Sequence, residues 1–436
     1  MVAHLIPNWS AGVRETYEFR TTVFTSEAGK EQRMATRMTP RRKVDFTAML
    51  RGQALRRFQG LLHNRGAQPI TIPDPARRGA ILTADAPAGT TILHLSENPL
   101  WLAAGVQIGL STFDATEAYG LSSVATVGAF STSYDPSFDV ASATGPAVVT
   151  LASPLAEAWP AGAEVRPIVA GRLPPNVTIS HETADLATIG VSFDVSVPSA
   201  IPALPVTTPT TFRQREVLLA EPDWSAPPSV VYNTPYDTVD YDQGRRAFFL
   251  PVDFYSRTSR FLFDGYDHDD VARVLGLFGR MKGRRGEFAM PSWTADMVPA
   301  GAVVPGASIV VQGRQIYDDY GTSKVNQAIG ILTTGGNWLL RTITGLSLTS
   351  SAPGGAFSDA YNDSFDADGG GPLFTRIDVS PNITATIPRD QIAMICWVNI
   401  CRFASDSLTV EWLTDRVARI STNISTLEFL APEILT

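Results

Sequence analysis

GAFSTSYDPSFD, Gly128–Asp139, and GAFSDAYNDSFD, Gly355–Asp366, are one segment written twice. Eight of the twelve positions are identical, 227 residues apart. Each copy is polar, rich in Ser and Asp, and keeps three aromatic residues four apart. These are Phe130, Tyr134 and Phe138 in the first and Phe357, Tyr361 and Phe365 in the second. The composition predicts a loop that connects strands, its rings packed on neighbouring strands or a neighbouring subunit. Its recurrence calls for a search for an internal repeat before any fold is assigned.

Further pairs occur in the same order. NWSAGVRETYEF near the start is matched by PDWSAPPSVVY, with Trp9, Ser10 and Ala11 against Trp224, Ser225 and Ala226 at an offset of 215. Pro40 faces Pro251, and Gly66 faces Gly286. Near the end of each half, Arg172 matches Arg402 and Asp185 matches Asp415, both at 230. Slowly drifting offsets are what a few insertions produce, so the chain reads as a tandem duplication. The Pro/Thr-rich stretch SVPSAIPALPVTTPTTFRQ suits the linker between copies.

Each copy opens on alternating aromatic and β-branched residues, TYEFRTTVF and SVVYNTPYDTV, which predict strands. A helix follows in each. One carries Ala54, Leu55, Phe58, Leu61 and Leu62 on one face, the other Val271, Val274, Leu275, Phe278 and Met281. Asp269 is the expected N-cap of the second helix and Gly283 its left-handed terminus. Short alternating strands follow (TTILHLS, GVQIGLS, SIVVQG), and each copy closes on further strands. The expected fold class is mainly β: two β-sandwich copies with one flanking helix each, every copy carrying an inserted small β-barrel or sandwich. The expected boundaries are 1–79 with 169–200 for the first copy, 80–168 for its insert and 201–215 for the linker. The second copy takes 216–295 with 393–436, and its insert 296–392.

Of the 436 residues, 44% are apolar and 18% charged, a globular balance. No apolar run is long enough for a membrane helix, so no stable membrane insertion is expected. The start, MVAHLIPNWSAG, lacks a secretory pattern, so folding in a cytoplasm is expected. Cys396 and Cys401 lie five apart on one predicted strand, on opposite faces about 16 Å apart, and do not pair with each other.

The charge is uneven. Residues 1–80 hold 14 Lys/Arg and 6 Asp/Glu, a net +8 within a chain of net −8. Without interleaved aromatics this does not read as specific nucleic-acid recognition. Arg33, Arg37, Arg41, Arg42 and Lys43 are instead candidate inter-subunit contacts, against the simpler reading of a solvated strand and turn.

The residues do not ask for catalysis. HETAD at His181 lacks the second His of a zincin, and DHDD, Asp267–Asp270, reads as helix capping rather than a metal site. DSFDADGGG is calcium-like in composition but misses the EF-hand spacing. There is no Walker, Rossmann or GxSxG signature. No catalytic residue, cofactor or metal is therefore assigned.

FRTTVFTSEAGKEQRMATRMTPRRKVDF, Phe19–Phe46, behind an early Trp, resembles the opening of tail proteins of long-tailed bacteriophages. A short helix followed by RRGEFAMPSW, and the closing CRFASDSLTVEWLTDRVARISTNISTLEF, are similar to the same group. The resemblance is to distal tail or upper baseplate hub proteins of siphovirus-like phages or related tail-like particles. It implies a tail-tube-like β-sandwich, no enzyme activity, and a ring that joins the tube to hub and fibres around a lumen for DNA. The implied partners are the chain itself, the tail tube protein, and hub and fibre proteins. The implied place is the virion tail tip, assembled in the host cytoplasm. With two copies per chain, three chains would give a pseudo-sixfold ring and six a true hexamer. The alternative class is a receptor- or carbohydrate-binding tail module, with Trp101, Tyr119 and Trp338 as an exposed platform.

Overall fold

Antiparallel strands dominate, and the phase of burial along them shows what the sequence pattern is for. A computed structural model describes residues 3–25, 31–65, 69–99, 101–112, 116–126, 146–196, 209–233, 237–240, 244, 246–249, 256–321, 327–349 and 374–427. Both GAFS segments, and with them Phe130, Tyr134, Phe138, Phe357, Tyr361 and Phe365, lie outside the described residues.

The first half runs β1 (Val13–Thr25), β2 (Glu31–Arg51), α1 (Gly52–Arg65), β3 (Ile70–Pro73), β4 (Ala80–Ile81), β5 (Ile92–Leu95), β6 (Gln107–Ser111), β7 (Thr116–Thr126), β8 (Ala147–Leu151), β9 (Glu164–Arg172), β10 (Ile179–Thr183) and β11 (Leu186–Val195). A small hairpin, β12 (Thr211–Phe212) with β13 (Arg215–Glu216), follows. Then come β14 (Ser229–Asn233), β15 (Asp237–Asp240), β16 (Arg246–Phe249), β17 (Ser256–Gly265), α2 (His268–Met281), β18 (Phe288–Pro291), β19 (Gly306–Gln312), α3 (Gln315–Tyr320), β20 (Ala328–Thr333), β21 (Trp338–Thr349), β22 (Phe374–Ile383), β23 (Ile392–Phe403), β24 (Ser407–Trp412) and β25 (Ala418–Thr426). The single opening strand expected for the second half is two, β14 and β15. The latter pairs with β16 in a separate two-stranded sheet.

Eight strands form one antiparallel series, in the order β10-β11-β2-β1-β24-β25-β17-β14. One face of it is apolar. Val44, Phe46, Ala48 and Leu50 of β2 alternate inward, as do Ala187, Ile189, Val191 and Phe193 of β11 and Leu408, Val410 and Trp412 of β24. Both helices join this core. α1 contributes Ala54, Leu55, Phe58 and Leu61, and α2 contributes Val271, Val274, Leu275 and Phe278. The apolar faces expected from helical spacing are therefore the buried ones.

The other face is polar. Directly opposed residues form a row across five strands: Asp45, Arg14, Glu411, Arg419 and Asp264. Their charges alternate, and Arg14–Glu411 and Arg419–Asp264 approach to 3.8 and 3.0 Å.

Two further cores sit apart from the sheet. Leu82, Leu93, Ile108, Val149 and Val165 belong to one. Around it β9-β6-β7-β8-β5 pair in order, and β4 with the Leu82–Leu95 bridge links the two ends. Ile309, Val311, Ile329, Ile377 and Ile395 belong to the other, bounded by β23-β20-β21-β22-β19. There, Met297–Ile395 and Pro299–Val311 bridges link the ends.

The N-cap of α2 lies two residues before the expected one. Asp267, not Asp269, is extended and accepts a hydrogen bond from the His268 amide at 2.6 Å. Asp269 and Asp270 instead lie in the first turn, where the helix dipole favours them. Asp267→Ala is expected to cost about 1 kcal/mol in urea unfolding, and Asp269→Ala clearly less. Past the helix, Lys282 and Gly283 both take left-handed backbone. Gly283 has φ +69, and a Cβ there would lie 2.6 Å from an Asp406 carboxylate oxygen, so this position requires glycine.

Candidate assembly interface

The two halves meet where β1 lies against β24. Six consecutive pairs, from Val13–Trp412 to Glu18–Ser407, set the register. Beyond them, Asp406 clamps the end of β1. Its carboxylate accepts from the Thr21 amide at 2.7 Å, the Thr21 hydroxyl at 2.9 Å and the Arg284 amide at 3.1 Å. Its carbonyl accepts from the Phe19 amide at 2.8 Å. Behind this clamp the Phe278 ring meets Phe19 and Phe403 edge-on, with centroids 5.5 and 5.1 Å away.

Val13, Glu15, Tyr17 and Phe19 all point into the core, so Glu15 is a carboxylate on an apolar face, fully buried. It accepts from Arg42 Nε at 2.6 Å, from the Tyr17 hydroxyl at 2.7 Å and from Trp412 Nε1 at 3.3 Å. Arg42 also donates two parallel bonds to Asp74, at 2.6 and 2.8 Å. Arg77 completes the group, 3.3 Å from Glu15 and bonded to the Tyr17 hydroxyl at 2.9 Å. Burial pushes the Glu15 and Asp74 carboxyls up, but Arg42 and Arg77 outweigh it and hold both below the usual carboxylate range. Tyr17 is pushed up to about 12, by burial first, with neighbouring Glu15 adding to it. All five groups are thus held in fixed charge states by each other. The cluster is a structural lock at the seam rather than a proton-transfer site.

On the far side of Trp412, the His268 ring stacks at 4.2 Å between centroids and bonds the Asp415 carbonyl through Nε2 at 2.7 Å. A carbonyl only accepts, so Nε2 carries the proton. The His268 pKa is lowered to about 4, by burial first and by nearby Arg77, against the opposing pull of the Asp415 bond. The unfolded value is near 6.5, so below it the unfolded chain takes up a proton that the folded chain refuses. The stabilisation is complete above about pH 6.5 and is lost as pH falls towards 4. Allowing for partial contact with water, the loss is roughly 2 kcal/mol. Urea midpoints between pH 7.5 and 4 are expected to fall in this window, and His268→Phe, which keeps the stacking, is expected to flatten the curve.

The five basic candidates divide sharply. Arg42 is not an inter-subunit contact: its pleat phase turns it inward to Glu15 and Asp74. Arg33 is turned to the second half of its own chain, donating to the Arg284 carbonyl at 2.8 Å and bonded to Glu31. Arg37, Arg41 and Lys43 border an open groove with Thr16, Glu18, Asp194 and Ser407. Arg41 is exposed, while Arg37 reaches Glu18 at 3.6 Å and Lys43 reaches Asp45 at 3.0 Å.

The expected aromatic platform is also corrected. Tyr119 is 7% exposed and its hydroxyl is bonded to Glu117. Trp101 is half-buried and donates to the Arg78 carbonyl at 2.7 Å, and Trp338 packs edge-on against Trp293. Tyr119 is thus buried, while Trp101 and Trp338 are each engaged on one side within the fold and half-exposed on the other. Cys396 and Cys401 are both buried, and burial pushes the Cys396 thiol up to about 12, with Asp296 adding to it.

The residues that make the seam, Glu15, Asp74, Arg77, Asp406 and Trp412, were not singled out from sequence. For Glu15 a signal exists: it occupies the inward phase of an otherwise apolar strand. Compared with protein-family models and with curated proteins, the sequence has no match.

Proposed function

We propose that the chain is a structural protein of a phage tail tip or baseplate, forming a ring that joins the tail tube to hub or fibres. The observation that carries this reading is the order of the eight-stranded series. Read as two sets of four, β10-β11-β2-β1 and β24-β25-β17-β14, it has the same pairings in each, joined head to tail. Paired and buried counterparts align β2 with β17 at an offset of 215, as Phe46 with Phe261. They align β11 with β25 at 231, as Val191 with Thr422. The first offset is the one that relates Trp9 to Trp224. The second places Asp185 with Arg416 rather than Asp415.

The side ladders agree too: β9 corresponds to β23, β6 to β20, β7 to β21, β8 to β22 and β5 to β19. This supports the tandem duplication, with small barrel inserts at 80–168 and 296–392 and a linker at 201–215. A four-stranded unit repeated head to tail is a ring-building unit. Three chains would supply twenty-four strands, enough for a barrel on the order of 45 Å across at the backbone. Its polar face, with alternating charges and many hydroxyls, suits a water-filled lumen. Hub, fibre and tube proteins would dock on the ring and its inserts.

The carbohydrate-binding alternative has weaker support, because its platform rings are engaged within the fold. The test is localisation: antibodies to the purified chain should decorate one end of tail particles in immunogold images. Labelling of capsids or of cell walls alone would overturn the proposal.

A further inference from the structure

The duplicated unit has four strand types, and the seam inside the chain joins the fourth type, β1, to the first type of the next unit, β24. Among the described residues, β10 pairs only with β11 and β14 only with β17. These two edges are the counterparts of β24 and β1. We propose that β14 of one chain adds antiparallel to β10 of a second copy, repeating the internal seam between molecules. The inference rests on the ring reading above and gives that ring its contact.

The register follows from the internal one. Glu15 pairs with Val410, so their counterparts, Val230 and Ile179, lie opposite each other. Likewise Val13–Trp412 becomes Pro228–His181.

Exposure supports the assignment. Glu15 is fully covered at the internal seam, whereas Val230 is 46% exposed and the next residue, Val231, 55% exposed. Apolar residues on an open edge strand with no charge to block pairing are a template for another strand. Ile179, which would face Val230, is half-buried against the main core. The second copy is the occupant because it presents the strand type that the internal seam already accepts. The contact is heterologous, so each chain keeps one open edge of each kind until the ring closes. A pairing of β14 with another β14 would instead stop at a dimer.

The outer edges also differ in chemistry from the internal seam. Where the seam has Glu15, the edge has Val230, and where it has Trp412, the edge has His181. A β1 strand therefore meets its own β24 with a buried charge lock, and β14 meets β10 with aliphatic side chains. The two junctions are not interchangeable, which favours correct pairing within and between chains.

The test uses variants of the full chain with one added cysteine each, the native Cys396 and Cys401 being buried. Val230→Cys and Ile179→Cys proteins are mixed and oxidised, since facing Cβ atoms in this register lie within disulfide reach. A covalent dimer is expected in the mixture and in neither variant alone, and the double variant should give a ladder ending at the ring. Dimer from Val230→Cys alone would overturn the proposal in favour of edge-to-edge symmetry. A ring by native mass measurement with no cross-link in the mixture would overturn this contact while leaving the ring reading intact. A monomer at every concentration, with no cross-link, would overturn both contact and ring, while tail-tip localisation is decided separately by the immunogold images. As a second measurement, Val230→Lys should abolish assembly and leave the urea midpoint of the monomer unchanged. Unchanged assembly would also overturn the contact.

Discussion

Replacing Arg42 with Met is expected to destabilise the chain by about 3–5 kcal/mol, one of the two largest losses among the substitutions considered. The reason is not the worth of one ion pair. Arg42 is the shared donor to two buried carboxylates, Glu15 and Asp74, and its removal leaves both with Arg77 as the remaining cation nearby. Breaking one partner of a buried charge group costs more than replacing the group, because a carboxylate is stranded away from water. Adding Glu15→Gln to the Arg42→Met variant is therefore expected to recover part of the loss, since the amide still accepts from Tyr17 and carries no charge. Urea unfolding of the single and double variants checks both statements. A loss under about 1 kcal/mol for Arg42→Met would show that the lock is not what holds the seam.

Phe278→Ala is expected to cost about 3–5 kcal/mol, and Phe278→Leu distinctly less. The ring is fully buried between Phe19 of β1 and Phe403 of β23, and Phe403 in turn lies 4.9 Å from Phe288 of β18. Phe278 thus ties the opening strand of the first half to three elements of the second. Truncation removes contact with both sides at once and leaves a cavity that rigid strands cannot close. The seam should loosen first, so hydrogen exchange of the Phe19 and Thr21 amides, which bond Asp406, is expected to rise before that of β6 or β20. The urea midpoint, together with these exchange rates, separates a local from a global effect.

Much of the fold was legible because burial has a period. The helix faces through Phe58 and Phe278 follow from spacing alone. On the proposed duplication, the Trp9–Trp224 offset, read from three residues, is also the one that would relate β2 to β17. The seam was harder. Counting charges made Arg33, Arg37, Arg41, Arg42 and Lys43 look alike, whereas the pleat turns Arg42 inward beside Val44 and leaves Arg41 and Lys43 outward. The same alternation, applied to Val13, Glu15, Tyr17 and Phe19, marks Glu15 as a buried carboxylate in need of a cation. Which cation answers it depends on β2 and on the turn holding Asp74, and pairing of that kind is invisible in a linear pattern. Aromatic residues misled in a different way. Tyr119 lies among polar neighbours in sequence yet fills a small core, because the pleat of β7 turns Tyr119 and Leu121 to the same buried side.

Because β1 and β24 belong to one polypeptide, their seam does not depend on concentration. In the proposed ring of three chains, half of the junctions would be made during folding and persist at any dilution, and three would remain for collisions between molecules to form. On that proposal the polypeptide itself would count subunits in pairs, so an odd number of four-stranded units could not be built. A threefold partner on one side and a sixfold partner on the other would both be met by the same proposed ring.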